Sequence, residues 1–393
     1  MTLQGTTAFV TGGTGFIGGR LADVLTSQYG MKIRALVRNN HSGGGAYRLA
    51  GCGAEIVEGD IADEAAMTRY VKGCDYVFHC AFGTSGDPKL DQRITVDGTK
   101  SLARAAAANG VRHFVNLSTM VVFGDTPSSV DETFVPTKMW DWPYPHQKIA
   151  AERAVLAEHA RSNLPVTTLR LGSVYGPWGP AFTYYPISCL NSGRVVLVNE
   201  GSGVSNAVYI DDVIQAMILA AKRGDVPPDM FIIRGPDRVT WRQFYDAYET
   251  MLGTNSLVNM TIEEVDAYNR QRQRAAVRKI MPYALGALKQ DVGFKALAGQ
   301  LPLLKPAWKA YKQRFGGPTS PRTTPSAPAK SFPADRPLHV LPKMMWGFYA
   351  SQTDYKIDHA KDALGYQPNY DLAKGMAATA QWAEWAGLIN RKS

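Results

Sequence analysis

Short apolar runs alternate with longer amphipathic stretches along roughly the first 250 residues of the chain. The apolar runs cover residues 7–10, 32–37, 55–57, 76–79, 113–117, 166–171 and 231–233. Helical patterns separate them at residues 16–27, 64–72, 95–109, 146–161 and 241–252, and Thr240 is the expected N-cap of the last one. Strands that alternate with helices predict βαβ units, and therefore an α/β fold with a doubly wound parallel sheet.

The pattern changes twice in the second half of the chain. Aromatic residues and short loops dominate from residue 178 to about Asn206, before a strand and a helix resume at residues 208–221. Residues 255–345 are basic around 270–279 and 305–314, where Trp308, Tyr311 and Phe315 interleave with the cations. Residues 316–337 are rich in Pro, Ser and Thr and predict a linker. We therefore expect a long insertion with helical and irregular parts.

Composition narrows the class of protein. The chain has a net charge of +9 and four cysteines without metal-ligand spacing, so we expect reduced thiols and no metal site. No leader segment and no stretch of ~20 apolar residues is seen, so we expect a cytoplasmic protein. A solvated helical face is the first interpretation of the basic insertion. Contact with a membrane surface stays open, and no nucleic-acid-binding motif accompanies the charge.

A glycine-rich turn, TGGTGFIG at residues 11–18, follows the first apolar run and precedes the first helical pattern. Its glycines allow a tight turn, a close approach of the backbone to a pyrophosphate, and close packing of helix against sheet. The phosphates then bind free N–H groups at the positive end of the helix dipole. The turn therefore predicts a dinucleotide site formed by Gly12, Thr14, Gly15, Phe16, Ile17 and Gly18.

The residue after the second predicted strand bears on which dinucleotide binds. An acidic residue there would hold the ribose hydroxyls of NAD, but the position is Arg38, followed by Asn39, Asn40 and His41. A cation suits a 2′-phosphate, so NADP is favoured over NAD, unless Arg38 is a solvated surface arginine. Asp60 ends a later strand, where an adenine amino group needs an acceptor.

Tyr144 and Lys148 stand four residues apart, on one face of a predicted helix. An ammonium near a phenol stabilises the phenolate and lowers the pKa of the tyrosine, which can then move a proton near neutral pH. Thr119 closes the strand that ends at Leu117, at the sheet edge where such folds bind ligands. The pattern predicts Thr119, Tyr144 and Lys148 as a catalytic set.

These segments resemble the extended branch of the short-chain dehydrogenase/reductase superfamily, the NAD(P)-dependent epimerase/dehydratase family, with its Rossmann sheet. The matching segments are TGGTGFIG at 11–18, GD at 59–60, HCA at 79–81, STMVVFG at 118–124, YPHQK at 144–148, LRLGSVYGP at 169–177 and VYIDDV at 208–213. The resemblance covers about residues 5–252 and 354–386. It implies hydride transfer between a carbinol carbon and nicotinamide, with Tyr144 moving the proton.

The resemblance also implies cofactor contacts. Lys148 would bind the nicotinamide ribose, and residues 172–174 would contact the carboxamide. The remaining expected cofactor-binding residues are Arg38, Asp60, Ile61, His79, Cys80, Ala81, Leu117, Tyr144, Leu171, Gly172 and Val174.

Three departures from the family pattern bear on the reaction. Sugar 4,6-dehydratases carry Asp-Glu just after the catalytic threonine, where this chain has Met120 and Val121, so we do not expect that reaction. Many nucleotide-sugar enzymes place an arginine before the 208–213 strand, where Ser205 and Asn206 stand here. Thr95 replaces the usual helix asparagine, which leaves the associated proton relay open.

The segment where the family builds its substrate pocket is rich in aromatic residues, which fit either a ligand wall or a small packed lobe. The expected substrate contacts are Phe82, Thr119, Met120, Trp178, Phe182, Tyr184, Tyr185 and Asn206. We favour a small-molecule substrate, a sugar or nucleotide sugar, for a reductase, dehydrogenase or redox epimerase. A 3β-hydroxysteroid-type dehydrogenase on an apolar alcohol is the second interpretation. A non-catalytic dinucleotide sensor is the third, against which the intact catalytic set argues.

The expected domain order follows from these assignments. A dinucleotide-binding Rossmann domain covers 1–177, and 207–235 returns to it. A substrate-binding lobe covers 178–206 and 236–254, the basic insertion covers 255–345, and 346–393 closes the substrate lobe. A homodimer typical of the family stays open.

Overall fold

The computed structural model describes residues 2–38, 44–224, 227–272, 274–275 and 337–389. The chain divides into two compact units, Met1–Asn259 with Pro337–Ser393, and Met260–Arg336. The predictions for Asn39, Asn40 and His41, and those for residues 276–336, concern residues outside the described part of the chain. The proposed division of the first unit into a Rossmann domain and a substrate lobe stays a prediction.

Seven parallel strands form the central sheet of the first unit, in the order β3-β2-β1-β4-β5-β7-β11. Their bounds are β1 Thr7–Thr11, β2 Lys32–Val37, β3 Glu55–Glu58, β4 Tyr76–His79, β5 His113–Thr119, β7 Val166–Leu171 and β11 Asp229–Ile233. The order reverses between β1 and β4, and ligands of such sheets bind at that point, beyond the carboxyl ends of the strands. The predicted fold class is confirmed.

Helices cover the sheet, because parallel strands are connected by crossovers that pack against its faces. The helices are α1 Phe16–Tyr29, α2 Gly44–Gly51, α3 Glu64–Val71, α4 Pro88–Gln92, α5 Gly98–Ala108, α6 Pro143–Ser162, α7 Tyr185–Ser192, α8 Ile210–Lys222 and α9 Trp241–Leu252. Further helices lie at Trp346–Ala350, Asp358–Leu364 and Leu372–Trp385. The core includes Phe9 of β1, Val77 of β4 and Phe114 of β5, all without exposed surface.

Three small sheets lie beside the main one. They pair β6 Ser129–Val130 with β14 Asp354–Tyr355, β8 Ser173–Tyr175 with β10 Ala207–Tyr209, and β9 Arg194–Val198 with both β12 Leu257–Met260 and β13 Leu338–His339. Short loops were expected around residues 178–206, and the structure has α7 and β9 there instead. The amide of Val195 donates to the Ser256 carbonyl at 2.9 Å, and that of Arg194 to the Pro337 carbonyl at 3.0 Å. Strand β9 depends on partners distant in sequence, which a local pattern does not reveal.

The predicted N-cap of α9 is confirmed. The Gln243 amide donates to Thr240 Oγ1 at 3.2 Å, and the Thr240 amide donates to Gln243 Oε1 at 2.8 Å. This reciprocal capping box satisfies two amides at the start of the helix.

Little of the second unit belongs to the described residues. Residues 262–272 are helical, and Arg270 pairs with Asp266 at 2.6 Å one turn earlier. Among the described helices of the whole chain, none combines the length and apolarity needed to cross a membrane.

Candidate active site

The glycine-rich turn packs directly against the strand exit beside it. Gly12 has a φ of 68°, and a Cβ there would lie 2.9 Å from the Ala81 amide nitrogen. A Cβ on Gly18 would lie 2.8 Å from the Gly12 carbonyl carbon, so helix α1 abuts the turn. Gly15 is the N-cap of α1, and the first turn of the helix has no acidic residue. The first amides of α1 therefore remain available to an anion.

A chain of hydrogen bonds holds β4 to this turn. His79 Nδ1 lies 2.8 Å from Thr11 Oγ1, and Nε2 lies 2.7 Å from Thr99 Oγ1. Thr99 donates to the Thr95 carbonyl, so it accepts from Nε2, and Nδ1 accepts from Thr11. Burial lowers the pKa of His79 to about 3, and the imidazole is therefore neutral. His79 is 2% exposed. Its imidazole therefore supports the backbone next to the glycine-rich turn and does not face an open groove.

The three predicted catalytic side chains meet at the end of β5. Thr119 is the last residue of β5, and its side chain hydrogen-bonds to Tyr144 in the first turn of α6. Lys148, one turn later, donates from Nζ to the Leu117 carbonyl at 2.9 Å. The Phe82 ring lies 5.6 Å from the Tyr144 ring, between centroids, and its centroid lies 5.4 Å from Lys148 Nζ. The phenol of Tyr144 and the ammonium of Lys148 thus lie beside one aromatic ring, and the Thr119 hydroxyl is bonded to the phenol.

The pKa of Tyr144 differs from the sequence-based expectation. Burial raises it to about 12, although the hydrogen bond from Thr119 lowers it. Burial also lowers the pKa of Lys148 to about 8, while the charge of Glu152 raises it. The expected depression of the tyrosine pKa is therefore wrong for this structure, because removal from water disfavours the phenolate more than its neighbours stabilise it. Tyr144 is neutral at pH 7, and its phenol can donate a proton.

A second cation lies at the predicted adenine end of the site. Arg93 pairs with Asp60 at 2.6 Å, and the Ala62 amide donates to Asp60 at 2.9 Å. Burial raises the pKa of Asp60, but the Ala62 amide, Arg93 and Arg38 together leave it below its usual value. Sequence reasoning named Arg38, which is exposed, and missed Arg93, since no motif marks a residue in the π-helical turn that precedes α5.

Two buried polar oxygens lack partners near the end of β7. Asn206 has a φ of 46°, and its Nδ2 donates to the Thr353 carbonyl at 3.2 Å. Within the described part of the chain, Asn206 Oδ1 and Ser173 Oγ accept or donate no hydrogen bond. A Cβ on Gly172 would clash with the Asn206 carbonyl oxygen and lie 3.4 Å from Met120 Cε. The structure thus brings together Met120, Gly172, Ser173 and Asn206.

The other aromatic candidates separate into two groups. Trp178 is 5.4 Å from Trp382 and Tyr184 is 5.2 Å from Trp382, between ring centroids. Phe182 instead stacks on Trp241 at 5.8 Å. The candidates expected in one substrate pocket therefore lie in at least two packing clusters.

A cleft of about 800 Å³ borders the glycine-rich turn through Thr14, Gly15 and Phe16. Trp178 and Asp211 also line it, but none of the three catalytic candidates does. Trp178 has a φ of 71°, a strained value for a bulky residue, and the residue is 44% exposed. This cleft shares the turn with the predicted dinucleotide site but lies apart from the catalytic side chains.

Comparison with known proteins gives one family and several relatives. A sequence model of the NAD dependent epimerase/dehydratase family matches residues 8–233. A 4-hydroxy-2-methyl-3-oxo-4-farnesyl-3,4-dihydroquinoline-1-oxide ketoreductase from Stigmatella aurantiaca is 29% identical over 221 residues, which are 55% of this chain and 64% of that protein. A 3 beta-hydroxysteroid dehydrogenase/Delta 5-->4-isomerase from Mycobacterium tuberculosis is 28% identical over 251 residues, 60% of this chain and 66% of that protein. The chain thus spans about two thirds of the length of these curated relatives.

Two further matches bear on the fold and on the reaction. The crystal structure of a UDP-glucose 4-epimerase with UDP-glucose, from Thermotoga maritima, superposes with a TM-score of 0.66, at 21% identity over 97% of this chain and 99% of that one. A dTDP-glucose 4,6-dehydratase from Streptomyces niveus is 27% identical over 237 residues, 55% of this chain and 70% of that protein. The comparisons therefore do not support the exclusion of 4,6-dehydration that the sequence suggested.

Proposed function

Because the chain belongs to the NAD-dependent epimerase/dehydratase family, we propose that it transfers hydride between a nicotinamide dinucleotide and the hydroxyl- or keto-bearing carbon of a small molecule. The observation that carries this proposal is the meeting of Thr119, Tyr144 and Lys148 at the end of β5. In the sheet, only β4 separates β5 from β1, which leads into the glycine-rich turn. Ligands of such sheets bind beyond the carboxyl ends of these strands.

The residues present fit a dinucleotide. Gly12, Gly15 and Gly18 leave a turn without side chains, and the amides at the start of α1 would hold the pyrophosphate. The unpartnered Ser173 Oγ and Asn206 Oδ1 suit the carboxamide, which offers both a donor and an acceptor. When bound, the nicotinamide supplies or accepts the hydride.

The protein's own part in the reaction is proton transfer. In the reductive direction, the neutral phenol of Tyr144 donates its proton to the substrate oxygen, while Thr119 holds that oxygen. The Lys148 ammonium stabilises the phenolate that remains, and it binds the nicotinamide ribose. In the oxidative direction the phenolate accepts the proton, and the same two groups orient the alcohol.

An apolar alcohol or ketone is our first substrate class. Met120 and Val121, which follow Thr119, are buried, and Met120 lies against the expected carboxamide position. Ser205 and Asn206 stand in the stretch where many nucleotide-sugar enzymes place a diphosphate-binding arginine, and the Ser205 hydroxyl donates to the Val239 carbonyl at 2.9 Å. The named activities of the ketoreductase and hydroxysteroid relatives support this class.

A nucleotide sugar is the second candidate, and it was the first choice from the sequence. The dTDP-glucose 4,6-dehydratase relative favours it. Against dehydration, Met120 and Val121 offer no carboxyl group with which to remove a proton and expel water.

For the dinucleotide itself we propose NADP. Arg38 follows β2 and is exposed. The positive charges of Arg38 and Arg93 both lower the pKa of Asp60. Two guanidinium groups at the adenosine end suit a 2′-phosphate.

The test combines turnover with binding. Purified protein is assayed at 340 nm with NADH or NADPH against a 2-alkyl-3-oxoalkanoate and a 3-ketosteroid, and with NAD or NADP against the matching 3β-hydroxysteroid. dTDP-glucose, which has no keto group to reduce, is incubated with NAD or NADP, and loss of water from it is followed by mass spectrometry. Tyr144→Phe should lower turnover about 100-fold or more and leave dinucleotide affinity unchanged. Tyr29→Phe makes the same chemical change at the far end of α1 and should alter neither. Full turnover in Tyr144→Phe, or dinucleotide binding without turnover of any substrate, would reject the proposal.

A further inference from the structure

A third polar residue continues the line of the catalytic pair along α6. Tyr144, Lys148 and Glu152 are spaced four residues apart, so their side chains leave the same face of the helix. Glu152 is only 5% exposed. A buried carboxylate destabilises the fold unless it is paired. The position of Glu152 one helical turn after Lys148 therefore points to a function.

Glu152 is held rigidly by the neighbouring strand. The guanidinium of Arg170, on β7, forms a bidentate ion pair with the Glu152 carboxylate. Nε donates to Oε1 at 3.0 Å and Nη2 donates to Oε2 at 2.8 Å. The guanidinium carbon of Arg170 lies 4.5 Å from the centre of the Phe123 ring. Phe123 ends the short turn that follows Thr119, so this pair connects α6, β7 and the end of β5.

We infer that Glu152, fixed by Arg170, is a positioning residue that keeps the Lys148 ammonium charged and directed at the Leu117 carbonyl. The inference rests on the proposed function only in treating Lys148 as the cation that serves Tyr144. It adds a second pair of residues, on β7 and α6, to the three expected from the motifs.

The charges around Lys148 support this role. Burial lowers the pKa of Lys148 to about 8, and the charge of Glu152 is the largest influence that raises it. From the other neighbouring elements, the His79 imidazole is neutral with a pKa of about 3, and the Cys80 thiol is neutral because burial raises its pKa to about 12. The phenol of Tyr144 is neutral as well.

The remaining charged groups near α6 are engaged elsewhere or directed outward. On α5, Lys100 is exposed, and Arg104 pairs with Glu64 at 3.0 Å. On the turn before α5, Asp97 is exposed and Arg93 pairs with Asp60. Glu152 is therefore the anion that faces Lys148 among the described residues.

The experiment measures the protonation of Lys148 directly and needs no substrate. The full chain is treated with trace acetic anhydride across a pH series, and acetylation of Lys148 is quantified by mass spectrometry, because only the neutral amine reacts. In the unaltered protein the midpoint should lie at about 8. In Glu152→Gln it should fall by about one pH unit, the size of effect that an opposite charge at short range produces.

Glu158 supplies a matched control on the same helix. Its side chain is 6% exposed and pairs with Arg161 at 2.6 Å, more than two turns from Lys148. Glu158→Gln should leave the midpoint unchanged. An unchanged midpoint in Glu152→Gln, or the same fall in both variants, would overturn the inference.

A second variant guards against loss of folding. Glu152→Gln leaves Arg170 buried without its partner, whereas Glu152→Gln with Arg170→Met removes both charges. The double variant should fold by circular dichroism and still show the lowered midpoint; a midpoint equal to that of the unaltered protein would overturn the inference. A lowered midpoint in a protein that turns over no substrate would reject the proposed function and leave this inference standing.

Discussion

Replacement of Gly12 by alanine tests whether the turn must approach the neighbouring strand exit as closely as the structure has it. Gly12 has a φ of 68°, and a Cβ there would lie 2.9 Å from both the Ala81 nitrogen and the Cys80 carbonyl carbon. Gly110 has a φ of 63° with no atom within 4 Å of its Cβ position. The two variants therefore share the backbone strain and differ in the clash.

The expected losses of stability follow from the backbone strain and the steric clash. A left-handed alanine costs about 1–2 kcal/mol, which is the whole effect expected for Gly110→Ala. Carbon contacts are best at roughly 3.5–4.0 Å, so the new Cβ at position 12 would be about 0.6 Å too close to backbone atoms that cannot rotate away. Overpacking of this kind costs a further 1–3 kcal/mol or so, and Gly12→Ala should lose about 2–5 kcal/mol.

The assay is denaturant unfolding followed by circular dichroism, combined with a fluorescence titration of NADH. Gly12→Ala should also weaken NADH binding about tenfold or more, since a displaced turn loses phosphate hydrogen bonds of ~1–2 kcal/mol each. Gly110→Ala should bind NADH normally. Equal losses of stability in the two variants, or normal NADH binding by Gly12→Ala, would refute the close approach.

Three other predictions follow from buried or charged groups. The pKa of His79 is about 3 in the fold, so below about pH 6.5 the unfolded chain binds a proton that the folded chain does not. The free energy of unfolding should therefore drop by about 2 kcal/mol from pH 7 to pH 5 because of His79. In denaturant titrations, His79→Gln should remove that part of the pH dependence. An identical slope in the variant would contradict the assignment. The Asp212 carboxylate accepts hydrogen bonds from the amides of Asn369 at 2.7 Å and Tyr370 at 3.1 Å. Asp212→Ala should therefore lower the free energy of unfolding by about 2–4 kcal/mol, and a loss below about 0.5 kcal/mol would show that these bonds are dispensable. Arg38→Ala should weaken NADPH about tenfold and NADH little in fluorescence titrations, and equal effects would remove the argument for NADP.

Much of the fold was predictable because local periodicity reports burial. The bounds of β2, β4 and β7 match their apolar runs, and α9 begins after its predicted cap. Strand β9 was missed because its partners come from residues 256 and 337–339, which no local window contains.

The catalytic candidates were predictable for a similar reason. Helical spacing places Lys148 one turn after Tyr144, and a strand end places Thr119 at the ligand edge. The pKa values of Tyr144 and Lys148 were not predictable from the sequence, because the degree of burial depends on every element packed around these side chains. The expected lowering of the Tyr144 pKa was wrong on this account.

The sequence by itself determined the seven strands of the central sheet, the glycine-rich turn and the residues of the catalytic motif, because each of these is encoded in neighbouring positions. Only the tertiary structure decided which charges meet, such as Glu152 with Arg170 and Asp60 with Arg93, and which oxygens stay without partners, such as that of Asn206. Electrostatic energy depends on distance through space and on exclusion of water, and the folded chain sets both.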